Sequence, residues 1–141
     1  MITRASRRDV DDLKEFFAEN EWKGAILDKG TSFVARVGKI VGNVRVIEVD
    51  TNVLVFEDVL VAEDRRGDGL GTQLMQAALN SRGGKVFLAC HEERLEWYGR
   101  LGFTQTDFDE LPELVKAFYR ETDAAPDQLP EGHVHYFLTA R

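Results

Sequence analysis

Residues 65–72 read Arg-Arg-Gly-Asp-Gly-Leu-Gly-Thr, with glycine at 67, 69 and 71, between an apolar run over 53–62 and a segment whose apolar residues have helical spacing. The order is strand, glycine-rich turn, helix. Glycines let the backbone turn tightly without Cβ clashes, and the first turn of the following helix leaves amide N–H groups without intrahelical partners. Those amides, at the positive end of the helix dipole, make a seat for a phosphate. A nucleotide-hydrolase loop closes on Gly-Lys-Ser/Thr, whereas this chain continues Gly71-Thr72-Gln73 without a lysine. A dinucleotide fingerprint needs Gly-x-Gly-x-x-Gly, and the spacing here is Gly67-x-Gly69-x-Gly71.

One supersecondary unit downstream, the short apolar run Lys85-Val86-Phe87-Leu88-Ala89-Cys90 fits a buried parallel strand. A helical pattern over 91–100 follows and ends at Gly102-Phe103, so that Trp97-Tyr98-Gly99-Arg100-Leu101-Gly102-Phe103 closes the unit. Arg66-x-x-Gly69-x-Gly71 resembles the pyrophosphate-binding signature of the GNAT superfamily of acyl-coenzyme A-dependent N-acyltransferases. The segment 97–103 resembles the aromatic-Tyr-x-x-Leu-Gly-Phe element of the same superfamily, in the expected order. The resemblance covers roughly residues 53–105 with specific features, and the flanks only by their pattern of elements.

Attack of an amine on an acyl thioester requires the neutral amine. An aliphatic amine with a pKa of about 10 is almost wholly protonated at neutral pH, so a base must take its proton. The resemblance implies Glu57 for that base, on the strand leading into the loop, where superfamily members often carry a catalytic glutamate. The pair Glu57-Asp58 also resembles the acidic pair of the glucosamine-phosphate acetyltransferase branch. Strand alternation sends the two carboxylates to opposite faces, which leaves Asp58 expected as an edge-exposed charge and Glu48 as a reserve base. Collapse of the tetrahedral intermediate expels a thiolate whose thiol has a pKa of roughly 8.5 by analogy with cysteine, and a proton donor helps it leave. The resemblance implies Tyr98 for that donor; the alternative is an aromatic core residue beside Trp97 and Phe103. A main-chain N–H of Val59 or a neighbour would polarise the thioester carbonyl.

For acetyl-coenzyme A as donor substrate, the resemblance implies that Val59, Leu60 and Val61 pair with the pantetheine arm like an added strand. Arg66, Gly67, Asp68, Gly69, Leu70, Gly71 and Thr72 would hold the pyrophosphate mainly through amides, with Arg66 adding charge. His91 stands where the family often has an asparagine touching the cofactor, and it can make a similar hydrogen bond, cap the next helix or do neither. Arg94 and Arg100 are either adenosine-phosphate contacts or surface arginines. No metal is expected, because Cys90, His91, His133 and His135 match no compact zinc spacing. Cys90, isolated at the end of a buried strand, reads as core.

The elements that must position these groups follow from the pattern. Residues 2–5 fit a first strand, and Ser6 is a candidate N-cap for a helix with Val10, Leu13, Phe16 and Phe17 on one face, ending near Asn20. Residues 21–30 are irregular, a short helix or packed loop. Strands over 32–37 and 40–49 flank a turn at Gly38-Lys39, and Asp50-Thr51-Asn52 turns into the strand over 53–62. Leu70, Leu74, Ala78 and Leu79 stripe a helix that 81–84 stops, after which 85–90 returns parallel. A short strand over 103–106, a stripe of Leu111, Leu114, Val115, Phe118 and Tyr119, and a last strand over 133–139 complete the chain. That stripe reads as core packing, with a lid over the acceptor pocket as the alternative.

With 141 residues, 43% hydrophobic content and one cysteine, the chain reads as a single domain over 1–141 that needs no disulfide. No apolar run approaches a membrane span and no signal-peptide pattern stands at the N-terminus, so a cytoplasmic protein is expected. A net charge of −7 argues against nonspecific nucleic-acid binding and mildly favours a cationic acceptor. The fold expected is α/β of the α+β type, a mixed, mostly antiparallel sheet of six or seven strands flanked by helices. The function implied is an N-acetyltransferase acting on a primary amine, either a small amine or amino sugar, by direct transfer in a ternary complex. Modification of a protein N-terminus or lysine is the alternative within enzymes, and a non-catalytic acyl-coenzyme A-binding regulatory module is the alternative of another class. Partners are an amine or peptide acceptor, with no nucleic acid, no membrane and a homodimer left open.

Overall fold

A computed structural model describes all 141 residues of the protein. Seven strands form one sheet in the order β1-β2-β3-β4-β5-β7-β6. They are β1 (Ile2–Arg4), β2 (Thr31–Val37), β3 (Lys39–Asp50), β4 (Val53–Val61), β5 (Lys85–Cys90), β6 (Thr104–Thr106) and β7 (Tyr136–Ala140). The helices are α1 (Val10–Glu19), α2 (Leu70–Ser81), α3 (Leu95–Arg100) and α4 (Glu113–Glu121). β1 pairs antiparallel with β2, β2 with β3, and β7 with both β5 and β6, while β5 runs parallel to β4. The sheet is therefore mixed and mostly antiparallel, as expected. No helix is long and apolar enough to cross a membrane.

Contacts gather in two compact units, one of Met1–Ile47 with Phe56–Gly83, the other of Glu48–Val55 with Gly84–Arg141. In the first, Ser6 accepts from the Arg8 amide while Asp9 accepts from the Ser6 amide at 2.7 Å, a capping box that opens the short 3₁₀ turn before α1. Leu13, Phe16 and Phe17 of α1 pack with Val34, Ile40 and Leu60 of the sheet. β2 and β3 turn through Gly38 alone, with Lys39 already paired to Val37, and the ladder shifts register between Ala35 and Arg36. Residues 21–30 form no helix.

α2 lies on the strands of this unit through Leu74, Met75 and Ala78, all fully buried. Its approach depends on Gly42 of β3, where an added Cβ would lie 2.7 Å from Leu74 Cδ1. The missing side chain thus sets how closely the helix that starts at the glycine turn can pack.

In the second unit, three residue pairs, Val53–Lys85, Leu54–Val86 and Val55–Phe87, make the parallel ladder. β7 starts at Tyr136, so His133 and His135, expected within the last strand, precede it. Most of the expected stripe is core: Leu111, just before α4, and Val115, Phe118 and Tyr119 on it are buried, Leu114 is exposed, and the Tyr119 ring meets Phe137 of β7 edge-on at 5.1 Å. α3 ends in a left-handed Gly102, with the Leu101 and Phe103 amides both donating to the Tyr98 carbonyl.

Truncating Leu74 to alanine should cost about 2–5 kcal/mol in urea unfolding. Gly42→Ala should cost about 1–3 kcal/mol by overpacking. Because the new methyl meets the side chain the other change removes, the double mutant should lose at least about 0.5 kcal/mol less than the sum of the two. Additive losses would mean that the two residues do not share this contact.

Candidate active site

Glu57 and Asp58 sit in the middle of β4, and the backbone there departs from a regular strand. Asp58 has φ 52°, the left-handed region, which costs an L residue of order 1–2 kcal/mol. Three hydrogen bonds hold it. Its carbonyl accepts from Asn43 Nδ2 at 2.8 Å, its Oδ1 from Trp22 Nε1 at 3.1 Å, and its Oδ2 from the Ile26 amide at 2.8 Å. Asp58 is only 8% exposed, so the expected edge charge is instead a buried anchor for the irregular segment 21–30. Burial pushes its carboxyl up, opposed by the Ile26 and Trp22 bonds and by the Arg45 charge.

Glu57 has no such set of donors. Burial is the larger cause, and the neighbouring Asp58 charge the smaller, of a carboxyl pushed up to about 8, against a partly opposing hydrogen bond from the Asp58 backbone. A half-buried carboxyl that ionises near neutral pH is suited to take a proton from a nucleophile.

β4 runs into a short 3₁₀ turn over Glu63–Arg65 and then the glycine loop. Gly67 and Gly69 have φ 91° and 79°, and no heavy atom lies within 4 Å of where a Cβ would stand at either. Glycine is thus needed there for the backbone angle, not for space. Gly71 takes no left-handed angle and lies in the first turn of α2, so two of the three glycines make the turn. The Gln73 amide is bonded to the Gly69 carbonyl at 3.1 Å, which leaves the amides of Leu70, Gly71 and Thr72 in the unpartnered first turn. Arg66 is exposed, and its Nε donates to the Val61 carbonyl at 3.2 Å, tying the turn to the end of β4. Asp68 is exposed, and no acidic residue lies in the first turn of α2. Val59 and Val61 are half-buried on β4, and Leu60 faces the α1 core.

In the second unit, Tyr98 is buried on α3, edge-on to Trp97 at 4.8 Å and to Phe103 at 5.8 Å. His91 does not cap the 3₁₀ turn that follows it; its exposed ring stands edge-on to His135 at 5.2 Å. Burial lowers the His135 pKa, as do the charges of His91 and His133, while a hydrogen bond to the Ala124 backbone raises it. Burial pushes the Cys90 thiol up to about 11, so it is a neutral core group and not a nucleophile. No three His, Cys, Asp or Glu side chains converge into a metal-binding group.

A mixed sheet of this order, with a strand that leads through a left-handed glycine turn to a helix N-terminus, matches the fold of acyl-coenzyme A N-acyltransferases. The family model for the acetyltransferase (GNAT) domain matches residues 28–105, more than half of the chain, and the protein belongs to that family. No curated protein matches it in sequence.

Among solved structures, the fold is similar to that of N-acetylglutamate synthase from Neisseria gonorrhoeae, determined with coenzyme A and N-acetyl-glutamate. The TM-score is 0.71 at 16% identity over 100% of this chain and 35% of that one. A GNAT-family acetyltransferase of Staphylococcus aureus Mu50 gives 0.69 at 17% identity over 99% and 97% of the two chains. Tetrahymena GCN5 gives 0.70 at 12% identity over 99% and 94%. The chain thus spans about a third of the length of the gonococcal synthase, and at these identities the likeness is one of fold.

The Glu57 shift has a consequence for stability. Below the ordinary value of 4.5 the carboxyl is protonated in both folded and unfolded chains and contributes nothing. Between 4.5 and about 8 the unfolded chain releases the proton that the folded chain keeps, so stability falls as pH rises through that window and levels off above it. Glu57→Gln, which cannot ionise, should therefore unfold at a higher temperature than the parent at pH 8.5 and at nearly the same temperature at pH 4.5. A constant difference across that range in calorimetry would contradict the shift.

Proposed function

We propose that the protein is an N-acetyltransferase that moves an acetyl group from acetyl-coenzyme A to a primary amine by direct transfer in a ternary complex. The observation that carries this reading is the half-buried Glu57 carboxyl, pushed up to about 8, on the strand that runs into the Gly67–Gly69 turn and the free amides of α2, in a chain of the acetyltransferase family.

Glu57, once ionised, takes a proton from the acceptor ammonium, directly or through one water, and frees the nitrogen lone pair. The amine attacks the thioester carbonyl, and a β4 amide near Val59 stabilises the oxyanion that forms. Collapse breaks the C–S bond, and Tyr98 protonates the departing thiolate; support for that role is the motif around it and the two rings that fix its place. Coenzyme A, when bound, supplies the activated acyl group. The amides of Leu70, Gly71 and Thr72, with the turn before them, would hold its pyrophosphate, Arg66 would add charge, and Val59, Leu60 and Val61 would pair with the pantetheine arm. His91, exposed at the end of β5, would contact the same arm. The acceptor is a small amine or amino sugar in this reading, with a protein N-terminus or lysine as the competing class.

Acetyl-coenzyme A should raise the melting temperature, whereas ATP and NAD should not; no shift with acetyl-coenzyme A would overturn the cofactor assignment. Thiol release should then be measured over a panel of amines, amino sugars and peptides. With the best acceptor, kcat/KM should rise with pH toward a plateau above about 8. Glu57→Gln should lower it about 10²–10⁴-fold and remove the limb that reports the carboxyl. Tyr98→Phe should lower kcat and leave acetyl-coenzyme A binding intact. Retained binding without turnover on any acceptor would favour a regulatory module.

A further inference from the structure

Arg45 of β3 is 7% exposed, and no carboxylate lies within ion-pair distance of it. Its Nε donates to the Lys29 carbonyl at 2.7 Å and its Nη1 to Ser32 Oγ at 3.0 Å, both neutral oxygens. The remaining nitrogen, Nη2, has no acceptor in the protein. A buried guanidinium is ordinarily paired, because taking its charge out of water costs several kcal/mol. Here Asp58 and Asp28 act on it only from a distance, and burial is the dominant effect on its pKa, which it lowers.

The residue lines a recess of about 220 Å³ together with Ser6, Arg7, Leu27, Asp28 and Ser32. Its walls are fixed before any ligand arrives. Segment 22–30 is tied to β4 by the two Asp58 side-chain bonds and to β3 by Arg45, and a Cβ at Gly30 would collide with the Val46 carbonyl. The capping box holds Ser6 and Arg7 at the other wall. A preorganised recess loses little conformational entropy on binding.

We propose that this recess binds a small organic carboxylate, with Arg45 as the recognising cation and Arg7 on the rim as the second. A carboxylate is flat and singly charged, and it matches the free edge of a planar guanidinium. A phosphate dianion suits the site less well, because Asp28 lines the same recess. The volume is below the roughly 300–1,000 Å³ of pockets for drug-sized ligands, which limits the occupant to a small acid or amino acid. The site lies away from the glycine loop, and its existence does not depend on acetyl transfer.

The test is a proton–nitrogen NMR titration of the full chain with propionate, propionamide and inorganic phosphate in parallel. Propionate should saturate, shifting the Arg45 Nε–H signal and the amides of residues 6–7 and 29–32, at least tenfold more tightly than the isosteric but uncharged propionamide. Arg45→Gln should abolish the effect and Arg7→Ala should weaken it. Since Arg45→Gln also loses the bonds to Lys29 and Ser32, the comparison of propionate with propionamide on the unmodified chain decides the matter if that variant does not fold. Equal effects of the two, shifts confined to residues 67–72, or tighter binding of phosphate at residues 29–32 would each overturn the proposal. L-Alanine as a fourth probe, with Asp28→Asn, places the ligand class: binding tighter than propionate and sensitive to that change makes the carboxylate an amino acid, and binding no tighter makes it a simple acid.

Discussion

An L residue held at φ 52° inside a strand is unfavourable by about 1–2 kcal/mol and persists only where its surroundings over-determine it. Asp58 meets that condition with a backbone bond from Asn43 and two side-chain bonds that reach Trp22 and Ile26. Much of the first unit depends on this arrangement. It distorts β4 one residue after Glu57 without ending the strand, and it pins the irregular segment after α1 against the sheet. It also uses the Asp58 carboxylate for structure, which leaves Glu57 without comparable donors and therefore disposed to keep its proton. Asn43 bears a cost in the same arrangement, since its Oδ1 is buried without a partner.

The two neighbouring carboxyls differ because their environments differ. Both are raised by burial, but Asp58 has an indole N–H, an amide and the Arg45 charge opposing the shift, while Glu57 has one backbone bond and a neighbouring negative charge. Arg45 links this pair to the rest of the unit, since its charge favours the ionised Asp58 and its Nε holds Lys29. The same strand then delivers the chain into a turn whose two left-handed glycines start α2 with free amides, and Gly42 lets that helix lie close on β3. Glu57 and the left-handed turn are the places where the proposed chemistry needs a base that ionises near neutral pH and exposed amide donors.

Most of the scaffold was legible from residue order, because local signals carried it. Glycines at 67 and 69 marked the turn, the Ser6 cap and the spacing of Leu13, Phe16 and Phe17 marked α1, and β-branched runs marked the sheet. A hairpin and one parallel crossover gave the course of β2 to β5, whereas the insertion of β7 between β5 and β6 carried no local signal. What stayed hidden depends on contacts distant in sequence. The burial of Asp58 requires Trp22 and Ile26, more than thirty positions away, and the pairing of Arg45 with Lys29 and Ser32 requires the β2–β3 register. For His91 the sequence left a cofactor contact and a helix cap as alternatives; the cap does not form, and the ring meets His135, which sits before β7 rather than in it. A composition signal for Arg45 did exist: an arginine within the alternating apolar pattern of a long central strand is a buried charge that needs an explanation.

The protonation of Glu57 can be observed at its side-chain carboxyl by carbon-detected NMR as pH is varied, in the full chain without ligand. Its chemical shift should titrate with a midpoint near 8, and the midpoint should fall when Asp58 is replaced by asparagine. A midpoint near the ordinary 4.5 would contradict the raised pKa.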